Sequence, residues 1–382
     1  MGDGEGFGTR AIHAGEETDP VTRAHATPIY QTATFAFETG ERKEEVVDAA
    51  MEWEPGAYFY TRTQNPTTDA LEQKVASLEG AESAVACASG MAAVSSTVFS
   101  LLAAGDHCVA AEDVFIITRF LLDDVLARKG IEVTRVDARD PHAVRAAIRP
   151  TTKAVLVEAL SNPHLELADV PALAEVAHAA GVPLVVDSTF LSPALLRPLE
   201  HGADLVVHSA TKYLSGHGDT VCGVVAGSKA LTDPIRYELD ALGGAVSPFS
   251  SWLVARGMRT LPLRMDVHTR NATAVAGLLA HRPEVRWLSY PGHPSHPDHA
   301  LAQRLLPRGT GGMLSVRLHG GAEAMYAFVN ALELAAIGVS LGDLKTLAYP
   351  MPKRDDLIRL SIGCEDVDDV LADVERGLAA LG

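Results

Sequence analysis

The chain has 382 residues, of which 47% are hydrophobic and 21% charged, with a formal net charge of −17. That length exceeds what one hydrophobic core supports, so a large domain with a smaller companion is expected, and the composition excludes a disordered chain. The acidic balance argues against a nucleic-acid or anionic-membrane partner, because both bind clustered Lys and Arg.

Residues 1–60 show no sustained period and mix turn residues with aromatics such as Tyr30, Phe35, Phe37, Trp53 and Tyr58. An apolar arm of this kind needs a surface to lie on, and a second subunit is the expected one. The start has neither a basic nor an apolar signal region, and apolar stretches such as Val98–Ala104 are too short to span a bilayer, so a cytoplasmic protein is expected. Four scattered cysteines (Cys87, Cys108, Cys222, Cys364) form no Cys-x-x-Cys, so no metal site is expected.

Tyr60-Thr-Arg62 leads into Asn65-Pro66-Thr67, where Asn65 or Thr67 caps a helix with apolar positions Leu71, Val75 and Leu78. From Ala84 to Val207 strand-like runs alternate with helical patterns. The runs are Ala84–Cys87, His107–Ala110, Ile131–Val133, Ala154–Val157, Pro183–Val186 and Leu205–Val207. Helices are expected after Ser89-Gly90-Met91, near Thr118–Arg128, near Pro141–Ile148 and over Val170–Ala180. This alternation predicts an α/β domain over 61–247, with a mostly parallel sheet and helices on both faces. After residue 247 long helical stretches flank a few strands, predicting a smaller α+β domain over 248–382. In such sheets ligands bind beyond the carboxyl ends of the strands.

The chemistry-bearing residues fall at those ends. Ala203–His208 runs into Ser209-Ala-Thr211-Lys212 and a Gly-rich turn, so Lys212 sits where a buried strand stops. Desolvation there frees its amine to form a Schiff base with a carbonyl. A lysine that merely reaches water is the plain alternative. Asp187 ends another buried strand, where a bare carboxylate is costly unless a cation meets it. In a pyridoxal phosphate enzyme that cation is the pyridine nitrogen; a helix-capping carboxylate is the alternative. Asn162, held before Pro163, can present its amide to the cofactor's phenolic oxygen, or simply make a turn. Ser89, Gly90 and Met91 open a helix whose N-terminus suits a phosphate, with Ser209, Thr211 and Arg62 as further donors.

This ordered set, with Arg359-Leu-Ser-Ile-Gly363 near the end, resembles the Cys/Met-metabolism family of pyridoxal phosphate enzymes from about Arg10 onward. The group includes cystathionine γ-synthase, cystathionine lyases, methionine γ-lyase and O-acetylhomoserine sulfhydrylase. The resemblance implies a fold-type-I transferase fold and pyridoxal 5'-phosphate as cofactor. It implies Lys212 as the residue that carries the cofactor and shuttles protons, and Asp187 as the partner of the ring nitrogen. It also implies that Gly90, Met91, Ser209 and Thr211 bind phosphate, while Tyr60 and Arg62 reach in from a neighbouring subunit. Arg359, with Ser340 and Asn162, would hold the α-carboxylate of an amino-acid substrate. A homotetramer built from active dimers is expected.

Two departures stand out. Where the family usually carries Tyr-Gly-Gly-Thr or Tyr-Gly-Cys-Thr, this chain reads Phe115-Ile116-Ile117-Thr118. Phe115 can stack on a cofactor ring but cannot move a proton, and the two isoleucines are expected to dry the pocket. Second, Ala348–Asp356 bridges directly what in relatives is a segment of a dozen or more residues, and Lys345 stands where sulfhydrylase-like members carry Lys. The expected activity is γ-elimination or γ-replacement on a γ-substituted L-amino acid with a weakly basic leaving group such as a halide, acetate or phosphate. The alternatives are O-acetylhomoserine sulfhydrylase-like sulfur transfer, an alkyne-forming lyase on a γ-chlorinated unsaturated amino acid, a β-lyase, and a catalytically silent structural subunit.

Overall fold

The computed structural model describes residues 4–382, so the first three residues of the expected arm lie outside it. Strands β1 (Ser83–Cys87), β2 (His107–Ala111), β3 (Glu132–Val136), β4 (Thr152–Glu158), β5 (Leu184–Asp187), β6 (Leu205–His208) and β7 (Gly223–Gly227) form one sheet in the order β1-β7-β6-β5-β4-β2-β3. β7 is antiparallel to both of its neighbours, and the other pairings are parallel. Strands β2 and β6 are buried at every position, as a parallel sheet covered on both faces requires.

β7 was not expected from the sequence. Its bounding glycines replace the β-branched residues that signal a strand, and they do so for contact reasons. A Cβ on Gly223 would lie 2.1 Å from the Ser89 carbonyl oxygen, and one on Gly227 would lie 2.7 Å from that of Asp204.

Helix α1 (Phe7–His13), α2 (Gly40–Met51), α3 (Pro66–Glu79) and α4 (Gly90–Leu101) precede β2. Asn65 caps α3, its side chain accepting from the Thr67 N–H at 2.9 Å with Pro66 in the first turn. α1 and α2 lie where no period was legible, because each buries a single residue, Ala11 and Ala50. The arm is tied to α3 by Lys74, fully buried, which donates to the Ala11 carbonyl at 2.8 Å and pairs with Glu16 at 2.9 Å. The helix expected near Thr118–Arg128 runs from Ile116 (α5, Ile116–Phe120) to Arg128 with one π-helical turn over Leu121–Val125. The helix Lys229–Leu242 contains Pro234 and was also not foreseen.

A second sheet has the order β10-β11-β12-β9-β8, from β8 (Val285–Ser289), β9 (Met313–Leu318), β10 (Ala336–Ile337), β11 (Leu347–Met351) and β12 (Leu357–Ser361). Helices Gly321–Ala331 and Val367–Ala379 complete a core around Phe328, Ile358, Leu360 and Val374. Helix Leu261–Leu279 serves both cores. Leu261 and Met265 pack with the seven-stranded sheet, whereas Ala272, Val275 and Leu279 pack with the second. Among the described residues no helix is long and apolar enough to cross a membrane.

Candidate active site

Three adjacent strand ends build the centre of the site. Glu158 at the end of β4 is the register partner of Asp187 at the end of β5, and β6 delivers His208 into the turn that carries Lys212. The turn is shaped by what it wraps. Gly216 and Gly218 have φ of 73° and 65°, and a Cβ on either would strike the Arg264 guanidinium or the Asp343 carboxylate at 2.1 Å. Buried Arg264 in turn donates to the carbonyls of Tyr213 at 2.7 Å and Gly257 at 2.9 Å, which fixes the backbone just after Lys212.

The Lys212 amine donates to Ser340 Oγ at 2.8 Å. Burial, reinforced by the nearby Arg359 cation, lowers its pKa to about 8. Arg359, on β12 and 4% exposed, donates to Asn162 Oδ1 at 3.0 Å and to the carbonyls of Val339 at 2.9 Å and Ser340 at 3.1 Å. Tyr349, its cross-strand neighbour on β11, lies with its ring 5.2 Å from the guanidinium carbon. The Arg359 Nε is buried without a partner, and burial lowers the residue's pKa to about 10. Lys212, Ser340, Asn162 and Arg359 therefore form one connected group.

Asp187 accepts from the Thr189 N–H at 2.9 Å and from the Thr189 hydroxyl through Oδ1 alone, and its other oxygen has no partner among the described residues. The Thr189 hydroxyl accepts from the Ser209 N–H at 2.8 Å, linking Asp187 to the lysine turn. Burial raises the Asp187 pKa against the opposing Thr189 bonds and His208. A cation brought to the free oxygen would reverse that rise.

Glu158 is a residue whose role the sequence did not reveal. One of its oxygens accepts the Phe115 N–H at 2.7 Å and the other the Asn162 N–H at 3.1 Å, so it ties the Phe115 loop to the Asn162–Arg359 pair. Burial, then the neighbouring Asp187, push its pKa well up. The available signal was the one that exposed Asp187, a carboxylate ending a buried strand.

Ser89 caps α4, its Oγ accepting from the Ala92 N–H at 3.0 Å. A Cβ on Gly90 would lie 2.6 Å from Ser209 Cβ and 2.8 Å from Ser209 Oγ, so the first turn of α4 and the lysine turn touch only because residue 90 has no side chain. Gly90, Met91 and Ser209 thus form a cradle at a helix N-terminus. Thr211 is engaged differently: its hydroxyl donates to the Cys222 carbonyl and accepts the Cys222 N–H, each at 3.1 Å.

Tyr60 and Arg62 do not join this group. Arg62 Nε pairs with Asp240 at 2.7 Å, with the guanidinium 5.4 Å from the ring centre of Tyr60, and Tyr60 is 41% exposed. The isoleucines of the Phe115 loop are not a dry wall within this chain. Ile116 and Ile117 are each 42% exposed and Phe115 39%.

A family model described as Cys/Met metabolism PLP-dependent enzyme matches residues 8–379. The chain is 42% identical to an L-methionine γ-lyase of Pseudomonas putida, with 98% of each chain covered. It is 40% identical to an O-succinylhomoserine sulfhydrylase of Pseudomonas aeruginosa, covering 99% of this chain and 96% of that one. Its fold is similar to the crystal structure of metB from Corynebacterium glutamicum with a TM-score of 0.93 and 39% identity, over 100% of this chain and 99% of that one.

Proposed function

The chain belongs to the Cys/Met metabolism family of pyridoxal phosphate-dependent enzymes, and from that premise we propose that it eliminates or replaces the γ-substituent of an L-amino acid whose leaving group departs as a weak base. The fold is that of fold-type-I pyridoxal phosphate enzymes, and the cofactor is pyridoxal 5'-phosphate. The residues present fit that group. The Gly90–Ser209 contact leaves a cradle that any larger residue at position 90 would fill, and Asp187 keeps one oxygen free for a cationic ring nitrogen. We assign phosphate binding to Ser89, Gly90, Met91 and Ser209. Thr211, whose hydroxyl bonds the Cys222 backbone, is the further phosphate donor of this assignment. When bound, the cofactor withdraws electrons from the substrate carbon.

The protein's own groups do the rest. Lys212 holds the cofactor and moves the proton, and its lowered pKa keeps a share of the amine neutral near physiological pH. Arg359 receives the substrate carboxylate through the guanidinium edge whose Nε lacks a partner. Asn162 accepts from Arg359 through its oxygen, leaving its amide to donate toward the cofactor. Phe115 stacks on the ring. Tyr60 and Arg62, outside the Lys212 group, would complete the site of a neighbouring subunit, which accords with a dimer or a tetramer of dimers in the cytoplasm. The domain division proposed is an arm over 1–60, a cofactor-binding domain over 61–247 and a smaller domain over 248–382.

Phe115 carries the choice of leaving group. A thiolate needs a proton as it leaves, and this ring has none to give, so an ester, a phosphate or a halide is favoured over the thioether of methionine. Elimination from such an ester, followed by hydrolysis, gives 2-oxobutanoate, ammonia and the free acid. The test is 2-oxobutanoate release by holoenzyme from O-acetyl-L-homoserine, O-succinyl-L-homoserine and L-methionine. Equal kcat/KM for methionine and the esters would remove the reading. A sulfhydrylase-like replacement is the second reading, favoured by the similarity to the Pseudomonas aeruginosa enzyme and by Lys345; sulfide-dependent homocysteine formation from the same esters distinguishes it.

A further inference from the structure

An open cavity of about 320 Å³ lies at the carboxyl ends of β2, β3 and β4 and shares Glu158 with the candidate active site. Most charges in its wall already have partners. Asp113 accepts from His164 at 2.8 Å and Ser161 at 2.9 Å. Arg139 pairs with Asp137 at 2.7 Å and Glu166 at 3.0 Å, and Arg119 with Asp123 at 3.4 Å. Arg354 differs: it is half-buried in the wall, and among the described residues its guanidinium has neither an ion-pair partner within 4.0 Å nor a hydrogen bond. It sits on the short connection between β11 and β12, where the next residue, Asp355, pairs with Arg286 at 3.0 Å and Arg317 at 3.2 Å.

That connection leads directly into β12, which carries Arg359. We propose that Arg354 forms an anion subsite that receives a carboxylate or phosphate at the far end of the substrate's γ-substituent, while Arg359 holds the α-carboxylate. The inference deepens the elimination reading and rests on it for the identity of the substrate. A half-buried arginine lacking a carboxylate retains its full donor fork, which matches either oxyanion. Of the other acids in the wall, Glu112 and Glu158 have no ion-pair partner among the described residues, so Arg354 is the cation left to meet an anion there.

The test uses amino acids that bind but have no leaving group. L-2-aminosuberate ends in a carboxylate, and L-2-aminooctanoate has the same chain length without it. Binding to the holoenzyme is followed by the change in cofactor absorbance, in wild type and in Arg354→Gln. The wild type is expected to bind aminosuberate about tenfold more tightly than aminooctanoate, the usual scale of one charge-assisted contact. R354Q should abolish that preference and leave aminooctanoate within twofold. An equal preference in both proteins, or none in the wild type, overturns the subsite even if homoserine esters are eliminated. Loss of ester turnover with the preference intact would instead sink only the elimination reading. In kinetics, R354Q should raise KM for O-succinyl- and O-phospho-L-homoserine but not for the acetyl ester, with kcat unchanged. A change confined to one of the two anionic esters identifies which oxyanion the subsite reads.

Discussion

Replacing Phe115 by Tyr is the most direct test of the leaving-group argument. The backbone N–H of residue 115 is pinned to Glu158 at 2.7 Å, so the main chain that carries the ring is held by the same bond in the variant. At 39% exposure the ring edge has room for a hydroxyl, and a surface change of this kind alters stability by no more than about 0.5 kcal/mol. The added group supplies a general acid, an effect typically worth about 10²–10⁴ in rate. The lower end is expected here, because the bulky Ile116 and Ile117 follow residue 115 directly. F115Y should therefore raise kcat/KM for L-methionine by about a hundredfold, equivalent to about 2.7 kcal/mol of barrier. The acetyl ester of homoserine should change by less than about twofold, since its carboxylate leaves without that proton. The assay is 2-oxobutanoate release over the two substrates, normalised to cofactor content. A parallel gain on both substrates would mean that the tyrosine acts by positioning the ring. No gain on methionine would refute the proton-donor argument.

Three further expectations are independent of that result. Gly90→Ala places a Cβ against Ser209 at 2.6 Å and forces α4 away from the lysine turn, so affinity for pyridoxal phosphate, measured by titrating apoenzyme, should fall by about tenfold or more. The rate at which apoenzyme captures the cofactor should rise with pH through a midpoint near the Lys212 pKa of about 8. The sign follows from the amine, which is nucleophilic only when neutral, and a midpoint near the free-lysine value of ~10.4 would contradict the desolvation argument. Arg359→Lys keeps the charge but cannot serve Asn162, Val339, Ser340 and a substrate carboxylate together, so KM should rise about tenfold to a hundredfold with a smaller change in kcat.

The parallel sheet was legible because its strands are continuous apolar runs and its connections are helical in period. β7 was not, because the glycines that let it pass Ser89 and Asp204 erase the strand signal. α1 and α2 were hidden for a related reason: a helix that buries one alanine has no stripe to read. In the candidate site the end-of-strand residues Asp187 and Lys212 could be singled out from sequence, as chemistry there follows from burial. The Arg62–Asp240 pair could not, since it joins residues 178 positions apart through a helix that Pro234 disguised. Glu158 ends a buried strand as Asp187 does, but its use is to bond two backbone N–H groups, and those partners leave no mark on the sequence.

The site is assembled from groups that are costly to bury and are left with unmet partners. Arg359 keeps a bare Nε, Asp187 a free oxygen, and Lys212 an amine satisfied only by a hydroxyl. Each lacks what a phosphopyridine ring or an amino acid would bring, so binding offsets desolvation that the fold has already incurred. Phe115 reverses that logic at one point. On the proposed reading its hydrocarbon ring lies against the cofactor and has no proton to offer a leaving group. The requirement then passes to the substrate, whose leaving group must be stable as an anion. Arg354, unpartnered among the described residues, is the group proposed to favour the same charge.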